Sequence, residues 1–261
     1  MKVSVAQMVS SSDVDGNIKA TIKLAERAIS EDSDLIVYPE YQLYLPDYSD
    51  REGAFKAAKL LHGRISSLVK DLKIPSMINY PEVSGDSIYN TSSLVKDGKI
   101  VWSYRKAHLF DAFEYSESNI YARGNNLPLV YSFGNVSISS IICYDLRFPE
   151  LARIIAGNGA QIMIVQAGWF RGALKTTQWR ILLRSRAIEN GLFVLGSAQG
   201  GPEFTGHSMV VHPNGSVLTE CGKGEHLLNC EIDISESFEY RKKSHVLSAR
   251  RTDIYEVKEK Q

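Results

Sequence analysis

The first third of the chain alternates between two hydrophobic periods. Residues 2–8 alternate polar and apolar side chains, which predicts a strand. Four apolar residues then recur at spacings of four, three and four, the period of a helix: Ile18, Ile22, Ala25 and Ile29. Residues 35–38 form a continuous apolar run, which is typical of a strand covered on both faces. A second amphipathic helix is predicted over residues 52–72.

The remainder of the chain is richer in strands. They are predicted at 74–80, 90–95, 100–104, 136–142, 161–166, 192–197, 208–212, 216–219 and 227–232. Helices are predicted at 149–155 and 176–189. Residues 107–130 show no clear period and are interpreted as a loop with one short helix; loops of this length are usually functional. From Ser235 onwards the charged tail is predicted to be extended.

Strands separated by helices predict one α/β domain over residues 1–261, with mostly parallel pairing and helices outside the sheet. Ligands of such sheets bind beyond the carboxyl ends of the strands. Three polar residues stand just after apolar runs, namely Glu40, Lys106 and Cys143. We therefore expect one carboxylate, one amine and one thiol to gather along one edge of the sheet architecture.

The composition narrows the range of partners and locations. Hydrophobic residues make up 44% of the chain and charged residues 23%, as in ordinary soluble globular proteins. Thirty basic and thirty acidic side chains cancel, so neither nucleic acid nor an anionic membrane is expected as a partner. Residues 1–7 lack the segments of a signal peptide, and no apolar run is long enough to span a bilayer. We expect a cytoplasmic protein whose three cysteines stay reduced.

Cys143 is the cysteine with the most suggestive surroundings. A strand ends at this residue, a tight connection follows, and Pro149 suits the first turn of a helix. This arrangement resembles a nucleophile elbow, and a thiol near a helix N-terminus is expected to lose its proton more easily. The alternative is a buried, inert cysteine, which is the interpretation that we keep for Cys221 and Cys230.

A cysteine nucleophile needs a base that takes its proton and later activates water. None of the six histidines follows a strand as Glu40 does, and a partly buried glutamate can serve as this base. The positive charge of Lys106 could stabilise an oxyanion. For each of these two residues, taken alone, a solvated surface position is the favoured interpretation.

Three blocks of the sequence together resemble the signature blocks of the nitrilase superfamily. They are Tyr38-Pro39-Glu40, Arg105-Lys106-Ala107-His108-Leu109-Phe110 and Cys143-Tyr144-Asp145-Leu146-Arg147-Phe148-Pro149-Glu150. The blocks occur in the order of that family, and the likeness covers nearly the whole chain. The resemblance implies an α-β-β-α sandwich and a catalytic triad formed by Glu40, Lys106 and Cys143.

The resemblance also implies further parts of the site. A second catalytic glutamate is implied in the loop after the lysine, and Glu117 matches its position better than Glu114. The oxyanion is implied to be held by Lys106 and by the backbone N–H of Tyr144. The reaction passes through a thioester on the cysteine, and no cofactor or metal is implied.

The residues after the cysteine bear on the choice of substrate. Tyr144-Asp145 resembles the amidase-like branches, in particular the ω-amidases, whereas true nitrilases usually carry Trp-Glu. The resemblance therefore implies hydrolysis of a small aliphatic amide to an acid and ammonia. A nitrilase, an N-carbamoyl hydrolase and a non-catalytic binding or scaffold protein are the alternatives. Relatives often have His-Trp where this chain has Gln178-Trp179, which leaves the substrate itself open.

Other classes of enzyme lack their motifs in this sequence. A zinc hydrolase would need His-Glu-x-x-His or paired Cys-x-x-Cys motifs, a serine hydrolase Gly-x-Ser-x-Gly, and a nucleotide-binding protein a complete glycine-rich motif. The substrate pocket is expected to include four residues that follow strands: Arg147, Trp169, Phe170 and Arg171. The resemblance also implies a homodimer or a higher even oligomer, with the tail over residues 235–261 near its interface.

Overall fold

Two stacked β-sheets form the centre of the computed structural model, which describes residues 1–255. The strands are β1 (Lys2–Gln7), β2 (Leu35–Val37), β3 (Ser76–Ser84), β4 (Ser87–Lys96), β5 (Lys99–Arg105), β6 (Asp111–Ala112), β7 (Tyr115–Ser116), β8 (Tyr131–Phe133), β9 (Val136–Ile142), β10 (Ile162–Ala167), β11 (Phe193–Ala198), β12 (Met209–Val211), β13 (Val217–Glu220) and β14 (His226–Glu231). The helices are α1 (Val14–Ser30), α2 (Arg51–Asp71), α3 (Pro149–Gly157), α4 (Lys175–Asn190) and α5 (Ser235–Ser244).

Each main sheet has six strands and a mixed pattern of pairing. The first has the order β14-β1-β2-β3-β4-β5 and the second β13-β12-β11-β10-β9-β8. In both, the two central pairs are parallel and the three outer pairs are antiparallel. The prediction of mostly parallel pairing is therefore wrong away from the centres. The reason is that hairpins, which allow antiparallel pairing only, replace helical crossovers between β3, β4 and β5.

Alternate residues of the strands serve two different cores. Val3, Val5 and Val37 of the first sheet pack in one cluster with residues of the second sheet and with apolar residues of α3 and α4. Ile36 and Ile78, which point the other way, pack in a second cluster with α1 and α2. Because successive strand side chains point to opposite faces, this alternation produces four layers. The α-β-β-α sandwich that the resemblance implied is thus observed.

The tail differs from its prediction, because residues 235–244 form α5 instead of an extended segment. Glu236 lies in its first turn, and Arg241 in its last, where each charge complements the helix dipole. The side chains of Ser237 and Arg241 also donate to the carbonyl groups of Gly191 and Asn190 at the end of α4. Residues 256–261 of the predicted interface segment lie outside the described residues.

The long loop contains the two-stranded hairpin of β6 and β7 and a single 3-10 turn at Glu117–Asn119, where one short helix was predicted. Among residues 1–255, none of the helices combines the length and the apolar character that crossing a bilayer requires.

Candidate active site

The carboxyl ends of strands from both sheets meet at one edge of the sandwich. Glu40 follows β2, Lys106 follows β5, and Cys143 follows β9. β5 runs parallel to β3, because two successive antiparallel pairs separate them, so its carboxyl end reaches the same edge as that of β2. The three residues that the sequence singled out therefore lie together, in agreement with the strand-end rule for ligand sites.

Lys106 lies in a buried ion cluster with two glutamates. Its Nζ is 2.8 Å from Glu40 Oε1 and 2.9 and 2.7 Å from the two carboxylate oxygens of Glu117. All three side chains are at most 1% exposed. Burial alone would lower the pKa of Lys106, but the charges of Glu117 and Glu40 outweigh it and raise this pKa well above its ordinary value. The lysine is therefore an ammonium ion at neutral pH.

The Glu40 carboxylate is fixed by groups from both sheets. Asn90 Nδ2 donates to Oε1 at 2.8 Å, and the backbone N–H of Gly168 donates to Oε2 at 2.7 Å. Gly168 is required here by close approach, since a Cβ atom on it would lie 2.5 Å from the ring of Tyr41. Gln199 Nε2 donates to the Glu40 carbonyl at 2.8 Å. Both the backbone and the carboxylate of Glu40 are thus held in one position.

The Cys143 backbone has the conformation of a nucleophile elbow. Its φ is 47°, a left-handed value that non-glycine residues adopt rarely and that concentrates at functional sites. The residue starts a 3-10 turn, Cys143–Arg147, and α3 begins at Pro149 as predicted. The turn thereby directs the thiol towards the ion cluster, where its side chain is buried.

The Cys143 thiol does not have the lowered pKa that its place near a helix N-terminus led us to expect. Burial raises its pKa well above the ordinary value, and the negative charge of Glu40 raises it further, whereas Lys106 lowers it. α3 starts six residues after Cys143, and the effect of a helix dipole falls off within the first turn, so burial and the carboxylates determine the pKa. The resting thiol is therefore neutral and needs a base.

Asp145 holds the turn that carries Cys143. One of its oxygens accepts from the backbone N–H of Ile142 and from the Tyr104 hydroxyl, both at 3.0 Å. The other accepts from the backbone N–H of His108 at 3.0 Å and contacts His108 Nδ1 at 2.8 Å. The contacts with Ile142 and Tyr104 are buried and shielded from water, whereas the His108 side chain is partly exposed. Asp145 thereby ties the cysteine turn to the segment that carries Lys106.

A narrow cavity opens above the thiol. Its volume is about 20 Å³. The cavity is lined by Tyr41, Lys106, Phe110, Cys143, Tyr144, Arg147, Gly168, Trp169, Phe170 and Lys175. Arg147 lies over the ring of Trp169 at 4.9 Å and donates to Gln178 at 2.8 Å. Lys175 lies over the ring of Phe113 at 4.7 Å. Within residues 1–255, neither cation forms an ion pair.

The predicted pocket residues divide into two groups. Tyr144, Arg147, Trp169 and Phe170 line the cavity, whereas Arg171 departs from the expectation. The Arg171 guanidinium donates to the carbonyl of Pro202, and its side chain lines a separate surface depression. The physical reason is the change of direction after β10, which turns neighbouring side chains to different surfaces. Across the described part of the chain, no group of three or more His, Cys, Asp or Glu side chains has the arrangement of a metal site.

Sequence reasoning missed the cavity residues Tyr41, Phe110, Gly168 and Lys175, and it also missed Asn90 beside the ion cluster. Asn90 lies inside β4 with no turn or motif beside it, so no local signal distinguishes it. Gly168 comes directly after β10 and could have been found by the strand-end rule. Lys175 begins α4 and reaches the cavity only through the preceding loop, whose course the sequence pattern does not predict.

Comparison with known proteins identifies the family. The pattern of the carbon–nitrogen hydrolase family matches residues 2–242. The chain is 30% identical to a deaminated glutathione amidase of Escherichia coli O157:H7, covering 96% of this chain and 97% of the relative. It is 32% identical to a 2-oxoglutaramate amidase of Bacillus subtilis, covering 92% and 95%. An amidase of the nitrilase superfamily from Nesterenkonia has a similar structure, with a TM-score of 0.85, 25% identity and coverage of 97% and 95%.

The chain belongs to the carbon–nitrogen hydrolase family. It is an enzyme of the amidase type, and its fold is that of the nitrilase superfamily. The resemblance of the three sequence blocks to that superfamily is thus confirmed.

Proposed function

We propose that this enzyme hydrolyses a small aliphatic amide to a carboxylic acid and ammonia through a thioester on Cys143. The observation that carries the proposal is the buried cluster in which one ammonium and two carboxylates lie beside a neutral thiol. Its relatives support the amide. One of them, an amidase from Nesterenkonia, has been solved with acrylamide added at its active-site cysteine.

The first half of the proposed reaction forms the thioester. Glu40 takes the proton of the Cys143 thiol, and the sulfur attacks the carbonyl carbon of the amide. The Lys106 ammonium and the Tyr144 backbone N–H stabilise the oxyanion that forms. When the carbon–nitrogen bond breaks, Glu40 returns the proton to the nitrogen, and ammonia leaves. The cavity suits this chemistry, because Lys106, Cys143 and Tyr144 all line it.

The second half hydrolyses the thioester. Glu40, again a carboxylate, takes a proton from water, whose oxygen attacks the thioester carbon. The carbon–sulfur bond then breaks, the acid leaves, and the proton returns to the sulfur. Glu117 contacts Lys106 through both of its oxygens and so keeps the ammonium charged and oriented in both halves.

The preference between amide and nitrile tests this proposal directly. For matched compounds on one carbon skeleton, we expect kcat/KM for the amide to exceed that for the nitrile at least tenfold. The measurement is ammonia release, with N-carbamoyl compounds as a third series. A tenfold preference for the nitrile, which corresponds to about 1.4 kcal/mol in transition-state binding, would instead support a nitrilase.

We further propose that the preferred amides end in a carboxylate. Arg147 and Lys175 bring two positive charges to the cavity wall, and their contacts are with aromatic rings and one neutral amide. A guanidinium whose position is already fixed by Trp169 and Gln178 is well suited to bind a carboxylate through two hydrogen bonds. The side chains are therefore organised to receive a negative charge at the far end of a short substrate.

Replacing Arg147 with methionine separates carboxylate binding from catalysis. We expect Arg147→Met to raise KM at least about tenfold for a carboxylate-ended amide, since a charged hydrogen bond contributes roughly 1.5–3 kcal/mol. For an uncharged amide of equal length, KM should change less than about twofold. The matched control is Arg171→Met, which removes an arginine outside the cavity. If KM rises equally for both substrates in Arg147→Met, the arginine does not select carboxylates.

We also propose that the enzyme forms a dimer or a higher even oligomer. Two chains would pair through the helices that cover the second sheet and through the tail. Apolar side chains on this side are exposed, at 56% for Ile181 of α4 and 59% for Phe238 of α5. We expect a dimer or higher even oligomer in sedimentation at micromolar concentration, and weaker association for Ile181→Asp. The surface variant Leu60→Asp on α2 is the control. A wild-type monomer across this range would contradict the pairing.

A further inference from the structure

Asn90 contacts all three members of the ion cluster, although it lies in the middle of β4. Its Nδ2 donates to Glu40 Oε1 at 2.8 Å and to Glu117 Oε1 at 3.2 Å. Its backbone carbonyl accepts from the backbone N–H of Lys106 at 2.9 Å. The residue is 2% exposed, so none of these contacts competes with bulk water.

The orientation of the Asn90 amide is fixed by a second asparagine. Asn79 Nδ2 donates to Asn90 Oδ1 at 2.8 Å, so the NH2 group of Asn90 must face the two carboxylates. Asn79 Oδ1 in turn accepts from the backbone N–H of Tyr41 at 2.8 Å. Tyr41 follows Glu40 and has a left-handed φ of 60°. The asparagine pair therefore holds the Glu40 carboxylate and the turn behind it at the same time.

The charges of the cluster explain why such a donor is needed. One ammonium neutralises only one of two buried carboxylates, and burial and Glu40 both raise the pKa of Glu117 while Lys106 lowers it. A proton taken up by this carboxylate pair would leave less capacity for the thiol proton. Other charged or titratable groups around the pair are the thiol, three phenols and two cations across the cavity: Cys143, Tyr41, Tyr48, Tyr121, Arg147 and Lys175.

We propose that Asn90 is a positioning residue that keeps Glu40 and Glu117 ionised together, so that Glu40 is free to act as the base. The inference rests on the proposed function for its catalytic meaning. Its physical content stands on the geometry alone: one amide group donates one hydrogen to each carboxylate. Donation to the charged form stabilises it, and a fixed dipole does so without adding another charge.

The test replaces Asn90 with leucine, which has a similar size and no donor. Glutamate labelled with carbon-13 at the side-chain carboxyl allows the protonation of Glu40 and Glu117 to be followed by NMR across pH, without a substrate. The resonances are assigned with Glu40→Gln and Glu117→Gln. The control is Ser93→Ala, which removes the hydrogen bonds of this serine on the same strand to Ser103 and Tyr80 and leaves the cluster untouched.

In Asn90→Leu, the pKa of the first protonation step of the carboxylate pair is expected to rise by about one unit, since loss of a hydrogen bond to a charged group has an effect of this order. The acid limb of the kcat/KM profile should move up in pH by the same amount. Ser93→Ala should leave both unchanged. If Asn90→Leu does not fold, Asn90→Ser, which retains a shorter donor, should give a smaller shift in the same direction.

An unchanged carboxyl titration in a folded Asn90 variant would overturn the inference, whether or not the enzyme acts on amides. The proposed function fails separately, if the wild-type enzyme releases no ammonia from any amide while the carboxyl shift is still observed. A lower kcat with an unmoved pH profile would also count against Asn90, because a general loss of structure has that effect.

Discussion

Replacing Cys143 with alanine is expected to lower kcat/KM for the amide at least about 10⁴-fold, since removal of a catalytic nucleophile has effects of this order or larger. The chain keeps its other buried groups, and the lost sulfur faces a cavity, so the fold should persist. Ammonia release measures the activity, and circular dichroism with thermal unfolding checks the fold.

The other two cysteines supply the matched controls. Burial raises the pKa of Cys221 to about 11, and its sulfur lies against Gln7 and the Ser208 carbonyl, away from the ion cluster. Cys230 is on β14, at the edge of the first sheet. Cys221→Ala and Cys230→Ala should therefore retain activity within about threefold, and loss of activity in either alone would place the nucleophile elsewhere.

Replacing Glu40 with glutamine is expected to lower kcat/KM about 10³-fold, because general-base catalysis contributes roughly 10²–10⁴-fold. Glutamine has nearly the same shape, yet it cannot take a proton from the thiol. The effect on the thiol itself is opposite, because the substitution favours its ionised form. Because the negative charge of Glu40 raises the pKa of Cys143, its removal should lower that pKa, and alkylation of the thiol should continue.

The combination of lost turnover and retained alkylation separates a missing base from a damaged site. Glu114→Gln is the control, since Glu114 lies in the hairpin turn between β6 and β7 and lines an outer cleft instead of contacting Lys106. It should keep nearly full activity. Undiminished turnover in Glu40→Gln would mean that another group takes the thiol proton, and the proposed mechanism would be wrong.

The sequence predicted the strand-end positions of Glu40, Lys106 and Cys143, because each follows an apolar run that can be recognised from neighbouring residues alone. The strand-end rule also located Lys106 correctly. β5 is paired antiparallel to β4, but it runs in the same direction as β2 and β3, so its carboxyl end lies at the same edge. The resemblance to the nitrilase superfamily added Glu117, which lies in a loop without a period. In the structure, Glu117 Oε2 lies 2.7 Å from Lys106 Nζ.

The parts that the sequence did not predict depend on contacts between distant residues. Asn90 and Glu40 are fifty positions apart, and nothing in β4 indicates that one of its amides meets two carboxylates. The raised pKa of Cys143 follows from burial and neighbouring charge, and a sequence shows neither. Arg171 lines a depression separate from the cavity beside Cys143, because the direction of a side chain after a strand end depends on the path of the loop.

Alkylation by iodoacetamide, a small reagent that itself carries an amide, tests the identity of the nucleophile most directly. Residual ammonia release and the mass of each cysteine-containing peptide are followed in the same samples. The proposed mechanism predicts that activity falls in proportion to one modification per chain, located at Cys143. An enzyme that retains its activity with Cys143 fully alkylated, or loses it while Cys143 is unmodified, would contradict the assignment of Cys143 as the nucleophile.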